Sequence, residues 1–119
     1  MTESPRPPEE KDVFKVRRIL SDITDFAHSA SRIVSRGRAA FLDPADDTQR
    51  RAGKSVVIDL SAAADDLPEW FRNQHPEVPW RELRATRNFA AHDYHNVNQE
   101  VMWRVLETEF PRILLQLGV

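Results

Sequence analysis

Apolar residues between positions 11 and 36 recur at alternating steps of three and four, which is the period of one face of an α-helix. A second apolar row, spaced by seven residues, runs beside this face. Gly37 follows as a candidate C-cap. The combined face is wider than one partner helix needs, so we expect it to meet a core on one flank and a second copy of the chain on the other. The first row contains Val13, Val16, Leu20, Ile23, Ala27, Ala30 and Val34, and the second contains Ile19, Phe26 and Ile33.

Helical periodicity continues along the rest of the chain, where no run of alternating apolar and β-branched residues indicates a sheet. Four helices with short connections predict an all-α fold, an antiparallel four-helix bundle. N-cap candidates for the second helix are Asp46, Asp47 and Thr48, and its expected buried face contains Ala52, Val56, Leu60, Ala63 and Ala64. The remaining predictions are a helix over residues 48–65, a helical turn over 69–72, a helix from Trp80 to about Tyr94 or His95, and a last helix that begins at Asn96 or Asn98 and is kinked or restarted at Pro111.

Length and composition limit the class of protein. At 119 residues the chain is long enough for one domain with one core. Residues 1–10 include three prolines and predict a disordered tail, which leaves residues 11–119 as the folded domain. The chain has no cysteine, which excludes disulfides and thiolate metal sites. No apolar run approaches the roughly 18 residues of a membrane span, so we expect a cytoplasmic protein without a membrane partner.

The charged residues leave the class of partner open. A net charge of −2 does not indicate a nucleic-acid-binding domain, which would be strongly basic. Fourteen of the seventeen basic residues are nevertheless arginine, whose planar guanidinium suits bidentate contacts with phosphate. An arginine-rich coding bias would give the same composition. The placement of individual arginines must therefore decide between the two explanations.

The strongest candidate site is the segment Arg87-Asn88-Phe89-Ala90-Ala91-His92-Asp93-Tyr94. It combines a permanent cation, an imidazole and a phenol within about two helical turns. Arg87 and Tyr94 lie close to one line on the helix surface, and Asn88 and His92 lie on another. Asn88 could therefore hold the His92 ring by an i,i+4 hydrogen bond and fix its tautomer.

The geometry of this helix favours a site that two copies of the chain share. Arg87 and His92 are about 140° apart around the helix axis, so one helix cannot easily aim both side chains at one atom. Two copies facing each other across a two-fold axis could bring one arginine near the other histidine. A histidine can move a proton near neutral pH, and an arginine stabilises charge that grows on phosphate oxygens. These groups suit metal-independent RNA cleavage, in which the ribose 2′-hydroxyl attacks the adjacent phosphate.

Neighbouring residues add to this interpretation. Arg81 and Arg84 precede Arg87 at intervals of three residues and form a cationic strip that could bind RNA. A metal-dependent nuclease would need several convergent carboxylates. Asp93 is the only acid within the motif, and it points away from the line of Asn88 and His92. We therefore predict no metal site.

The motif resembles the Arg-x4-His-x-Tyr signature of HepT-type toxins of the HEPN superfamily. The segment 76–80 before it and the residues after it are also similar to the family pattern, as is the first helix, so the resemblance covers roughly residues 11–117. Lys54 departs from the pattern, because the glycine that Gly53 matches is expected to precede an acid. If that acid supports the site in relatives, Lys54 affects the support or the activity. The matching residues after the motif are Val97, Asn98, Val101, Met102 and Trp103.

The resemblance implies an HEPN-like bundle that forms a homodimer, with both motifs lining a shared cleft. It implies the toxin of a type VII-like toxin–antitoxin pair, a metal-independent endoribonuclease without a cofactor, in which Arg87 and His92 are catalytic and Asn88 is supporting. It also implies an MNT-type nucleotidyltransferase antitoxin that transfers AMP from ATP to Tyr94. The alternative is a non-catalytic subunit that binds nucleotide or substrate as the partner of a minimal nucleotidyltransferase.

Overall fold

Helices make up the regular structure of the chain. The structure is a computed structural model that describes residues 10–92 and 98–119, and within these residues there is no strand, which confirms the all-α prediction. No helix in the described part of the chain is both long and apolar enough to cross a membrane. The helices are α1 (Glu10–Ser35), α2 (Arg38–Phe41), α3 (Thr48–Asp65), α4 (Glu69–Asn73), α5 (Trp80–His92), α6 (Gln99–Arg104) and α7 (Phe110–Leu117), with a π-helical turn (Val105–Glu109) joining α6 to α7.

Helix α3 packs against both α1 and α5, and α1 also packs against the π-helical turn and α7. In α3, the residues Val57, Leu60 and Ala64 are almost completely removed from solvent, as is Ile23 of α1. The long segments α1, α3, α5 and α6–α7 thus surround one hydrophobic core. Burial of each large apolar side chain stabilises the folded chain by about 1.5–3 kcal/mol.

The apolar face of α1 is used within the chain more fully than its pattern predicts. Val16, Ile23 and Ile33 are buried, and Ile19 is only 4% exposed. Phe26 is half-buried and packs against the same core. The second row therefore packs on the same core as the first row, and the expectation that one flank of the combined face meets a second copy of the chain stays a prediction. The two rows share one core because α1 contacts α3 on one side and the π-helical turn and α7 on the other.

Helix α3 has the predicted bounds, and its buried face includes Val56, Leu60 and Ala64 as predicted but is rotated from the expected one. Ala52 is exposed and Ala63 is only half-buried, whereas Val57 and Ser61 are buried. Gly53 explains the rotation, because α2 and the π-helical turn approach its backbone. A Cβ atom built on Gly53 would lie 2.8 Å from Cε2 of Phe41. Because Gly53 has no side chain, α3 packs closely against α2 and the π-helical turn at this position. The positions of apolar residues in the sequence do not indicate such a contact.

The start of α3 is held by an aspartate from the predicted group. Oδ1 of Asp46 accepts from the amide nitrogen of Thr48 at 3.0 Å and from its hydroxyl at 2.6 Å. These hydrogen bonds, the hydroxyl first, lower the pKa of Asp46 below its ordinary value. Asp47 occupies the N-cap position, but its side chain makes no capping hydrogen bond.

The last helical segment begins at one of the two predicted caps. Oδ1 of Asn98 accepts from the amides of Glu100 and Val101 at 3.0 and 3.4 Å. Pro111 lies in the first turn of α7, so the α-helix restarts there, as one of the two predicted outcomes. Its missing N–H and its ring would disturb an α-helical turn, and the chain widens into the π-helical turn immediately before it.

Candidate functional site

Helix α5 carries the predicted catalytic residues in different environments. Arg87 is half-buried, and its Nη1 donates to Oδ1 of Asn88 at 3.3 Å. Its Nε is buried and has no hydrogen-bond partner among the described residues. The guanidinium is thus partly desolvated and retains an unused donor, which is costly in a folded chain unless a ligand or water completes it.

His92 lies at the end of the described part of α5 and is exposed. Within the described residues no hydrogen bond joins it to Asn88, whose Oδ1 accepts from Arg87. The expected i,i+4 bond is therefore not formed, and Asn88 contacts the arginine and not the imidazole. Tyr94, the predicted site of AMP transfer, lies outside the described residues.

The angular separation of Arg87 and His92 follows from an unbroken helix. Because α5 is helical from Trp80 through His92, the two side chains leave its axis about 140° apart. Arg87 sits against neighbouring protein, whereas His92 and Asn88 face solvent. A single copy of the chain therefore has a sheltered cation and an open imidazole that point in different directions.

The two arginines proposed for RNA binding differ in their partners. Nε and Nη2 of Arg84 lie 2.9 and 2.6 Å from Oδ1 of Asp65, at the end of α3. This ion pair joins the last turn of α3 to the first half of α5, so the two helices are antiparallel. Arg81 is exposed and makes no ion pair with any described residue. Because Asp65 offsets the charge of Arg84, Arg81 is the better candidate of these two arginines for contact with an RNA phosphate.

Lys54, at the position where the resemblance predicts an acid, is half-buried on α3 beside a shallow groove of about 430 Å³. Arg51, Ser55, Ile58 and Asp59 line the same groove. Lys54 thus adds a second basic group where an acid was expected. The spacing of residues in α3 alone gave no sign of this groove.

Metal ligands do not gather in the described part of the chain: residues 10–92 and 98–119 hold no group of three or more His, Asp or Glu side chains that could bind a metal ion. The histidines illustrate why. His28 is exposed on α1, and His75 packs against Phe71 with ring centroids 4.4 Å apart, remote in sequence from His92.

Comparison with known proteins gives the chain's relationships. The family model described as "Ribonuclease HepT-like" matches residues 17–118, nearly the whole described domain. A "Probable ribonuclease HepT" of Thermococcus cleftensis is 32% identical over 54 residues, which are 45% of this chain and 49% of the relative. No solved structure matches significantly.

Two further relatives have names of the same kind. "Putative RNase TTE0752" of Caldanaerobacter subterraneus is 33% identical over 54 residues, which are 45% of this chain and 48% of the relative. "Putative RNase MJ0127" of Methanocaldococcus jannaschii is 31% identical over 64 residues, which are 54% of this chain and 52% of the relative. The chain thus spans about half the length of the curated relatives that it matches.

Proposed function

The chain belongs to the HepT-like ribonuclease family, and from this premise we propose that it is a metal-independent endoribonuclease, with Arg87 and His92 as its catalytic residues. The observation that carries the proposal is the placement of both side chains on α5, one sheltered with an unused donor and the other open to solvent. A guanidinium suits phosphate oxygens, and an imidazole suits proton transfer at a ribose hydroxyl.

The reaction needs no group from outside the RNA. The ribose 2′-oxygen forms a bond to the adjacent phosphorus, and the bond from phosphorus to the 5′-oxygen breaks. The 2′-hydroxyl loses its proton and the leaving 5′-oxygen gains one, so the products carry a 2′,3′-cyclic phosphate and a 5′-hydroxyl. Arg87 would stabilise the charge on the phosphate oxygens, and His92 would transfer a proton.

We place the working site between two copies of the chain. The separation of about 140° keeps Arg87 and His92 of one helix from meeting at one phosphate. In a two-fold dimer each site would use Arg87 of one protomer and His92 of the other. Asn88 would then support the site by holding the guanidinium, since that is the group it contacts.

The first experiment is cleavage of 5′-labelled RNA in EDTA. The chain should release fragments with 2′,3′-cyclic phosphate ends, and Arg87→Ala and His92→Ala should each abolish the release. Arg17→Ala and His28→Ala are matched controls, since both residues are exposed on α1 and distant in sequence from the motif. Full activity in either motif variant would refute the mechanism. Nucleotide binding without any cleavage would favour the non-catalytic alternative.

Mixing the two inactive variants tests whether the site is shared. In a mixed dimer of Arg87→Ala and His92→Ala, one composite site loses both groups and the other keeps both. Random exchange of subunits should therefore restore about a quarter of the wild-type activity. No recovery, despite exchange shown by mass spectrometry, would place each site within one protomer.

Regulation by a partner is a further part of the proposal. As the toxin of a type VII-like pair, the chain would be silenced when an MNT-type nucleotidyltransferase antitoxin transfers AMP to Tyr94. The added phosphate would compete with RNA for the Arg87 guanidinium. Incubation with the antitoxin and ATP should raise the intact mass by AMP units and stop cleavage. A mass increase that survives Tyr94→Phe would exclude this tyrosine.

A further inference from the structure

A groove of about 460 Å³ separates the second half of α1 from the first part of α3. Arg32, in the last turn of α1, and Arg36, directly after the end of that helix, lie along one side of it with Ser29. Both arginines are exposed, and neither makes an ion pair with a described residue. Phe26 of α1 also lines the groove and is half-buried. Cations, hydroxyls and an aromatic ring thus occur together on one surface.

This groove continues across α3 into the one that contains Lys54. Ser55 and Asp59 line both grooves, so the two surfaces meet along one side of α3. The second groove adds Arg51, whose Nε lies 2.7 Å from Oδ2 of Asp47. We call the combined surface, defined by Arg32, Arg36, Arg51, Lys54, Ser55 and Asp59, the α1–α3 basic strip. It contains four basic side chains and Asp59, and Arg51 pairs with Asp47.

The strip lies partly on α3, the helix that packs against the motif helix α5. His92 follows Arg84 along α5 by the same number of residues as Val57 precedes Asp65 along α3. Because the two helices are antiparallel and Arg84 pairs with Asp65, His92 is level with Val57. Ile58, the next residue, lines the second groove. An RNA strand that leaves His92 and crosses α3 therefore meets the Lys54 end of the strip first and Arg32 and Arg36 last.

We propose that the α1–α3 basic strip binds the phosphate backbone of the RNA strand beyond the cleavage site; this rests on the proposed ribonuclease function. Arginine and lysine with serine and threonine hydroxyls are the groups that contact phosphate and sugar in nucleic-acid complexes. A basic groove beside an aromatic ring is also the usual arrangement for a single strand without sequence preference. Asp59 repels the same backbone and limits the affinity.

The test compares RNA binding by two variants with equal charge. Arg32→Gln/Arg36→Gln removes the α1 end of the strip, and Arg17→Gln/Arg18→Gln removes two exposed arginines nearer the start of the same helix. The probe is a fluorescein-labelled single-stranded RNA with 2′-O-methyl groups, which cannot undergo attack by the 2′-oxygen. Fluorescence anisotropy gives the Kd over a range of salt concentrations, and thermal unfolding verifies that both variants fold.

Loss of two phosphate contacts should reduce the slope of log affinity against log salt by about 1.4, since each contact with a single strand contributes about 0.7. The ratio of variant Kd to wild-type Kd should then fall about sevenfold between about 50 and 200 mM salt. The control variant should keep the wild-type slope, and Asp59→Asn should bind more tightly. A dinucleotide, which is too short to cross α3, should bind all of these proteins equally.

Each remaining result contradicts a definite part of the proposal. If the wild-type chain cleaves RNA but the Arg32→Gln/Arg36→Gln slope equals that of the control, the strip does not bind RNA and the ribonuclease function stands. If the wild-type chain neither cleaves nor binds RNA, both proposals fail. If the strip variant binds RNA normally but no longer binds the antitoxin, the surface recognises an acidic protein instead.

Discussion

Gly53→Ala is the most direct test of how closely α3 packs against α2 and the π-helical turn. The new Cβ would lie 2.8 Å from Cε2 of Phe41 and 3.0 Å from Cδ1 of Leu106. The nearest atom belongs to an aromatic ring that is only 1% exposed. That ring is confined by Trp103, with 5.4 Å between the ring centroids. Phe41 therefore cannot move aside into solvent.

Two opposing contributions determine the size of the effect. Replacing glycine with alanine inside a helix stabilises it by about 1 kcal/mol. Adding a methyl group to a closely packed core costs about 1–3 kcal/mol. Since Phe41 is confined, we expect the second contribution to exceed the first. Gly53→Ala should lower the free energy of unfolding by about 1 kcal/mol, or the Tm by about 4 °C in a domain of this size.

Urea unfolding monitored by circular dichroism, at one fixed protein concentration, measures this change. Ala52→Gly is the matched control, because Ala52 is the adjacent exposed residue of α3 and reports helix propensity without a new contact. It should cost about 1 kcal/mol. Combining Gly53→Ala with Phe41→Leu should recover about 1 kcal/mol relative to the sum of the single changes. A Gly53→Ala chain that is more stable than the wild type would refute the close approach of α2.

Three further changes test single contacts. Ser61→Ala should stabilise the chain by about 1 kcal/mol in urea unfolding, because the Ser61 Oγ is buried without a hydrogen-bond partner among the described residues; a loss of stability would mean that the hydroxyl is bonded in solution. Asn98→Ala should cost about 1 kcal/mol through the lost cap, whereas Asn98→Ser should keep most of it. Thr48→Val should raise the pKa of Asp46 in an NMR titration. In the wild-type chain the hydrogen bonds to the Asp46 carboxylate stabilise the folded state at pH values above the ordinary pKa of 3.8. This stabilisation is lost as the pH falls through the lowered pKa of the folded state. An unchanged Asp46 titration in that variant would show that the Thr48 hydroxyl does not hydrogen-bond to Asp46.

Helix existence and bounds could be predicted where local chemistry determines them. Helix α3, which was predicted as the second helix, begins at Thr48 and ends at Asp65 as predicted, because aspartates precede it and a proline follows at position 68. Asn98 was one of two predicted caps and is the one whose side chain accepts the free amides. Such signals act over a few residues and can be identified without the tertiary structure.

Contacts between distant segments could not be predicted in the same way. The phase of the buried face of α3 depends on Phe41 meeting a glycine, and an alanine-rich helix has apolar residues on several sides. The pairing of Arg84 with Asp65 joins residues on two different helices. The sequence motif identified Arg87 and His92 as site candidates. Their unequal burial, and the bond from Arg87 to Asn88, depend on neighbouring helices and on rotamers that the motif does not specify.

The π-helical turn has a consequence for how this fold can change in length. It places one more residue in a single turn than an α-helix would, while α6 and α7 both keep their apolar faces on the core. Removing one residue there would convert the turn to α-helix with little rotation of either flank. A deletion in the middle of α3 would instead rotate the rest of that helix by about 100° and expose its core residues. Insertions and deletions among related chains should therefore collect between Val105 and Glu109, which makes this turn the place where the bundle can gain or lose a residue without refolding.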